Sequence, residues 1–403
     1  MKSWLQQFQN YFSVKENSEF HFLFALALVV VTIPLPKYSL NSQAIILLVV
    51  GWLLLNNMKE KWKLLKHNYR NVLLLSIPFF LHLVGLIYTN NLERGFSEII
   101  KMLPFLIFPL IFYTIDTVFI SKEKILQYLP ISVFVASIIT LIKASFFYFN
   151  NLGNYFYYDQ LAVFLNKHTT YFSLFVVISC IILLKNIAIN YKKTLSFLLL
   201  IFFIIMLYFL SVRISVIAMG AAFLFFIFNH LKGWILLIAI ALIPISITLA
   251  YNTPHFKKRF EPSHTENAVL EDVDYRKLHW EAVFMSIKHK LLLGRGTEGD
   301  RDDLHSIYND KKLTAAYEEN YNAHNQLLEI GLDFGILGMV IFLLYVWFLI
   351  KNAITHNNKL LLLIIIIFAL YSITESIFVR HSGIILFSLL TSLLILKKED
   401  EIV

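Results

Sequence analysis

The chain alternates between long apolar stretches and short polar connections almost from end to end. A bilayer core takes about 20 apolar residues per helix. By that measure the stretches fall near 20–37, 41–57, 71–89, 101–119, 127–148, 169–187, 195–212, 213–230, 233–250, 324–350, 359–377 and 382–396. The pattern predicts an all-α polytopic membrane protein with about twelve transmembrane helices. It divides into an N-terminal bundle of nine helices over 1–250, a polar loop over 251–323, and C-terminal helices with a tail over 324–403. Only Arg213 separates the seventh and eighth stretches, so their boundary is open. Before the first stretch, Trp4, Phe8, Tyr11 and Phe12 recur at helical spacing and predict an interfacial helix. That segment has no compact apolar core with a small-residue cleavage site, so it does not read as a signal peptide.

Composition strengthens this reading. Hydrophobic residues make up 58% and charged residues 15% of the 403, against roughly half and a quarter in soluble domains. The net charge of +8 comes mostly from short loops, where cations set orientation, and not from a nucleic-acid footprint. KEKWKLLKHNYR, SKEK, KNIAINYKK, HLKG, KNAITHNNK and the KKEDEIV tail alternate with cation-poor connections. The positive-inside rule then places both termini in the cytoplasm and the 251–323 loop outside, which is periplasmic in a Gram-negative cell. The single Cys180 lies in an apolar run, so no disulfide framework exists.

The long loop is the expected seat of function. DVDYRKLHWEAVFMSIKHK within it reads as an amphipathic helix with Tyr275, Leu278, Ala282 and Met285 on one stripe and Asp272 or Asp274 as cap. LLLGRGTEGD follows as a glycine-rich turn. His255, His264, His279, His289 and His305 lack the spacing of a zinc site and read as surface residues; no metal or cofactor is expected.

Ionisable residues at span ends are functional candidates, because burying them is costly. Arg213 in LSVRISVIAMG sits at the outer end of a hairpin, where it could equally snorkel to lipid headgroups. Arg276 lies on the polar side of the loop helix. His324 opens NAHNQLLEIGLDFGILG, where His324, Leu328, Gly331, Gly335 and Gly338 share one helical face. Glycines on that face would let another helix approach and turn the imidazole inward. Arginine forks suit phosphate oxygens, and histidine can take a proton from a hydroxyl near neutral pH. The parts are those of glycosyl transfer from a lipid-pyrophosphate donor.

AHNQLLEIGLDFGILG resembles a signature of the O-antigen ligase and O-antigen polymerase superfamily, membrane-embedded C-type glycosyltransferases. LSVRISVIAMG is similar to the family's S-x-R, and DYRKLHWEAVFMSIKHKLLLGRGTEG to its R-x₃-W-x₂-A helix with a glycine turn. TESIFVRHSG and NKHTTYFSLF fall in order on either side, so the resemblance spans about 165–395. It implies a metal-independent, inverting glycosyltransferase in the bacterial inner membrane, with its active site at the periplasmic face. The donor would be a glycan on undecaprenyl pyrophosphate and the acceptor a hydroxyl of lipid A core or another sugar. Arg213 and Arg276 would hold the pyrophosphate and His324 would act as base. Asn325, His168, Glu375 and Arg380 would be weaker substrate contacts, and His381 weaker still.

By analogy alone the loop and short tail favour a ligase over a repeat-unit polymerase. A lipid-linked sugar transporter should carry charges at mid-membrane depth. Here they gather at outer span ends, with Lys143 the main exception. A scaffold would not need two arginines and a histidine at one mouth.

Overall fold

The computed structural model describes residues 14–55, 57–230 and 272–396. The expected interfacial helix at the N-terminus, the ninth span, the first part of the loop with His255 and His264, and the C-terminal tail lie outside the described residues. All regular structure among the described residues is helical.

The helices run in the order α1 (Val14–Thr32), α2 (Tyr38–Leu54), α3 (Met58–Leu75), α4 (Ile77–Gly85), α5 (Leu92–Met102), α6 (Pro104–Tyr113) and α7 (Lys122–Phe149). There follow α8 (Tyr158–Val163), α9 (Thr169–Ala188), α10 (Lys193–Leu210) and α11 (Arg213–His230). The loop supplies α12 (Asp272–His289), α13 (Asp302–Asp310) and α14 (Thr314–Glu318). The chain then enters α15 (Gln326–Thr355), α16 (Lys359–Thr374), a 3₁₀ turn at Ile377–Val379 and α17 (His381–Ile395).

Among the described residues five helical segments are long and apolar enough to cross a membrane, or six if the bent pair α2–α3 counts as one. Four more apolar helices are shorter, at 10–17 residues. Among the described residues helix length thus supports five or six spans, and the expected twelve are not all of full length there. The expected 71–89 span breaks at Ser76, with Pro78 in the first turn of α4. The 101–119 span is shifted instead: Leu92–Tyr113 forms one span-length segment in which α5 and α6 meet at Leu103, with Pro104 opening α6. The uncertain hairpin resolves cleanly: α10 ends at Leu210, Ser211 turns with φ 48°, and α11 begins at Arg213.

One core runs through the bundle. At its centre is α9, apolar on every face and buried along nearly its whole length, as a helix without a polar stripe must be. It packs against α7, α8, α10, α11 and α16. The paired amides of Gln127 and Asn186 join α7 to α9 at 2.7 and 2.9 Å. The outer surface is the reverse of a soluble protein's: Ile46, Leu47, Leu54, Leu343, Leu344 and Trp347 are exposed, as lipid-facing side chains are.

The loop has a small core of its own, in which Ala282, Val283 and Ile287 of α12 meet Leu304, Tyr308, Leu313 and Leu332. The buried face of α12 keeps Tyr275, Leu278 and Ala282 of the expected stripe, but Met285 is exposed and His279 and Ser286 are buried beside it. Both polar residues have partners inside. His279 Nε2 lies 2.9 Å from the Tyr308 hydroxyl, and the Ser286 hydroxyl donates to Asp303 at 3.0 Å. A stripe read from apolar residues alone is displaced when the helix buries satisfied polar groups.

A break in α15 ties this unit to the bundle. Gly335 has φ 61° and ψ −160°, a backbone region open almost only to glycine. The break leaves the carbonyls of Leu332 and Asp333 and the N–H groups of Ile336 and Leu337 without their helical partners. The glycine-rich turn after α12 supplies all four. Arg295 N and Gly296 N donate to the two carbonyls at 3.2 and 2.8 Å, while the carbonyls of Leu291 and Leu292 accept at 2.8 and 3.3 Å. Broken backbone at membrane depth is tolerable only when re-satisfied within protein. The approach is close, since a Cβ on Gly335 would lie 2.5 Å from Leu292 backbone and one on Gly294 2.4 Å from that of Asp333.

Candidate functional site

The site forms where the loop unit, the start of α15 and the segment after α16 meet. Asn325 is the N-cap of α15, its side-chain oxygen accepting from Leu327 N and Leu328 N at 3.0 and 3.1 Å. Such a cap satisfies two of the N–H groups a helix start leaves over. The Asn325 amide also donates to Ile373 O at 3.1 Å, and Gln326 accepts from Phe378 N at 2.7 Å. The corner carrying His324 is thereby fastened to the segment carrying Glu375.

His324 precedes the helix with φ 44°, a left-handed conformation uncommon for a side-chain-bearing residue. The expected continuous face through His324, Gly331, Gly335 and Gly338 therefore does not exist: its first member is outside α15 and Gly335 breaks it. Nor do these glycines make room for another spanning helix. A Cβ on Gly331 would meet Ile287 of α12 at 2.9 Å, and Gly335 faces the turn after α12. These two receive the loop, while Gly338 makes room for Phe334 of α15 itself.

Around the His324 ring stand Glu375, with Oε1 3.6 Å from Nδ1, Tyr321 at 5.1 Å between ring centroids, and His279 at 5.7 Å. The imidazole keeps about a third of its surface exposed, whereas the Glu375 side chain is 6% exposed. Burial acts to raise the Glu375 pKa, but the close approach and charge of His324, with His168 and Arg380, outweigh it and hold the carboxyl below its usual range. His279 is pushed the other way: burial first, then the positive charge of His324 when it carries a second proton and that of Arg276, lowers it to about 4. It stays neutral at any pH where the protein works.

His168 caps α9, accepting from Thr170 N at 3.4 Å, and lies near enough to feel the charge of Glu375. Arg380 stands over the Tyr171 ring at 5.9 Å. The Tyr171 hydroxyl donates to Ser376 O at 3.0 Å, which anchors the Glu375 segment on α9. His381 does not join the group; its ring packs on Tyr38.

Arg213 and Arg276, distant in sequence, line one cavity of about 690 Å³ with Lys277, Trp280, Phe284 and Leu328. Leu328 is one turn beyond His324, and Arg276 lies three residues before His279 on α12. The cavity and the His324 cluster are thus neighbours.

Three residues that fix this corner went unread in the sequence. Arg301, mostly buried, reaches Glu329 at 2.8 Å and Asp333 at 2.9 Å. Glu329 in turn accepts from Ala323 N at 2.7 Å, the residue before His324. The signal was present: two carboxylates four apart in an apolar run need a cation. His279, expected at the surface, is 2% exposed, because Tyr308 satisfies it inside the loop core. His289 is exposed, as expected. Among the described residues no three His, Cys, Asp or Glu side chains converge as metal ligands.

Residues 197–343 match the family model described as O-antigen ligase. That match takes in Arg213, Arg276, His324 and the break in α15, and supports the O-antigen ligase superfamily resemblance read from the motifs. An uncharacterized protein of Haemophilus influenzae is 23% identical over 393 residues, covering 91% of this chain and 96% of its own. The match over 197–343 and the span-length apolar helices point to a membrane protein, and the matched family suggests a ligase-like or polymerase-like glycosyltransferase.

Proposed function

We propose that the chain transfers a glycan from undecaprenyl pyrophosphate to a sugar hydroxyl, such as one on lipid A core, at the periplasmic face of the inner membrane. The observation that carries this is the convergence of Arg213 and Arg276 on one cavity beside His324 and Glu375. Two guanidinium groups suit the leaving pyrophosphate, which gains charge as the glycosidic bond breaks. His324 takes the proton of the acceptor hydroxyl, and the freed oxygen attacks the anomeric carbon from the side opposite the pyrophosphate. One C–O bond forms as the other breaks, and configuration inverts. Glu375 fixes the imidazole and stabilises its protonated form, as a carboxylate does behind a histidine base. The arginines supply the charge that a metal ion supplies elsewhere, so activity should survive chelators.

The test uses purified chain with a lipid-pyrophosphate glycan and two acceptors, lipid A core and a second lipid-linked repeat. Transfer to lipid A core is expected. Joining of repeats with no transfer to core would replace the ligase reading by a repeat-unit polymerase. His324→Ala and Arg213→Ala should each cut transfer by about 100-fold or more, the usual worth of a general base or a transition-state charge. Normal turnover in either variant, properly inserted, overturns the role of the residue replaced.

A further inference from the structure

A second cavity, of about 490 Å³, lies at the other end of the bundle. Three helices fix its place. α9 runs from His168 to the neighbourhood of Lys185, α15 from Asn325 to His356, and α16 returns from Lys359 to Glu375. Each has a residue of the His324 corner at one end and a residue of this cavity at the other. The cavity belongs to no part of the transfer chemistry.

Its rim is cationic and its wall apolar. Lys122, Lys185 and Lys359 stand at the rim with His356 and a single carboxylate, Glu123. Lys185 lies 3.7 Å from Glu123, and Lys122 donates to Leu396 O. Lys359 is exposed and has no ion pair among the described residues. His356 Nδ1 is 3.0 Å from Asn352 O, so as donor there it leaves Nε2 for the cavity. Two helix starts, capped by Ser121 and Asn358, open here beside the ends of α9, α15 and α17, so the lysine side chains and not the helix dipoles supply the positive charge. Below the rim, Leu126, Ile181, Leu184 and Leu363 line the descent into the bundle.

We infer that this cavity binds one anionic phospholipid, its phosphodiester among Lys122, Lys185 and Lys359 and its acyl chains on the apolar wall. A basic pocket between helix ends over an apolar groove is how membrane proteins hold such headgroups. A soluble phosphate would have no use for the apolar wall, and a zwitterionic lipid little for a rim where, among the described residues, three lysines face one carboxylate.

Full-length protein in detergent, titrated with phosphatidylglycerol and followed by native mass spectrometry, tests the site. One retained phosphatidylglycerol per chain is expected, with phosphatidylcholine much weaker. Lys185→Gln with Lys359→Gln should lower apparent affinity by about thirtyfold, each cation being worth a factor of about five. The thermal midpoint without lipid reports whether that variant folds; if it does not, Lys359→Gln alone, at an exposed position, should give the fivefold loss. Unchanged binding in a folded variant overturns the site, as does equal retention of phosphatidylcholine. Equal affinity for glycerophosphoglycerol, which lacks acyl chains, makes it a phosphate site and overturns the lipid. Binding that appears only after residues 397–403 are removed makes the chain's own tail the occupant and also overturns it.

Discussion

His279 controls the charge beside His324 without being aimed at any substrate. It is buried, bonded to Tyr308, and held neutral by burial first and then by the positive charge of protonated His324 and of Arg276. An unfolded histidine titrates near 6.5 and this one near 4. Between those values the unfolded chain binds a proton that the folded chain refuses. The contribution is fully present above pH 6.5 and is lost as pH falls toward 4, up to about 3 kcal/mol across that window. Replacing His279 by Gln keeps a donor for Tyr308 but removes the titration. Thermal midpoints in detergent between pH 4 and 7 should therefore be flatter for His279→Gln than for wild type. Equal slopes would mean that His279 is protonated in the fold.

The break in α15 is where element and site are coupled. A straight helix from His324 onward was the natural reading of NAHNQLLEIGLDFGILG, since the spacing of its glycines fits one face. That spacing cannot report that Gly335 leaves helical space, because the cause lies about forty residues upstream, in the turn Leu291–Gly296 that replaces the lost rungs. The apolar runs themselves were legible: α7, α9, α10 and α11 lie almost where hydropathy put them, because burial of a spanning helix is written in composition. Arg213 and His324 were legible as charged or titratable residues at span ends, and Arg276 as a cation on the polar side of the loop helix. The Arg301 pair with Glu329 and Asp333 was not, since its cation comes from the loop and its carboxylates from α15. Gly335→Ala would force an alanine into φ 61° and place its Cβ 2.5 Å from Leu292 backbone. A cost of about 3 kcal/mol or more is expected, with the loop detaching first. Faster proteolysis in the 290–300 turn, at a rate independent of substrate, is the measurement; an unchanged rate would show that the turn holds without the break.

Across the whole molecule, α15 decides which face is which. After the break at Gly335 it runs on to Thr355, about 20 residues or ~30 Å of helix, the thickness of a hydrocarbon core. Glu318, just before it, and Asn357, just after it, must therefore lie on opposite sides of the membrane. Lys122, Lys185 and Lys359 gather on the Asn357 side, and the positive-inside rule makes that side cytoplasmic. On the proposed reading the His324 corner then opens outward, where a glycan already carried across the membrane would meet it. The single cysteine, Cys180, is buried, so an introduced thiol can be read against a quiet background. Glu318→Cys and Asn357→Cys both place the thiol at exposed positions. In intact cells a membrane-impermeant maleimide should label Glu318→Cys at once and Asn357→Cys only after permeabilisation. The reverse pattern would put the His324 corner in the cytoplasm and remove the periplasmic transfer reading. Labelling of both from outside would mean that α15 does not span at all.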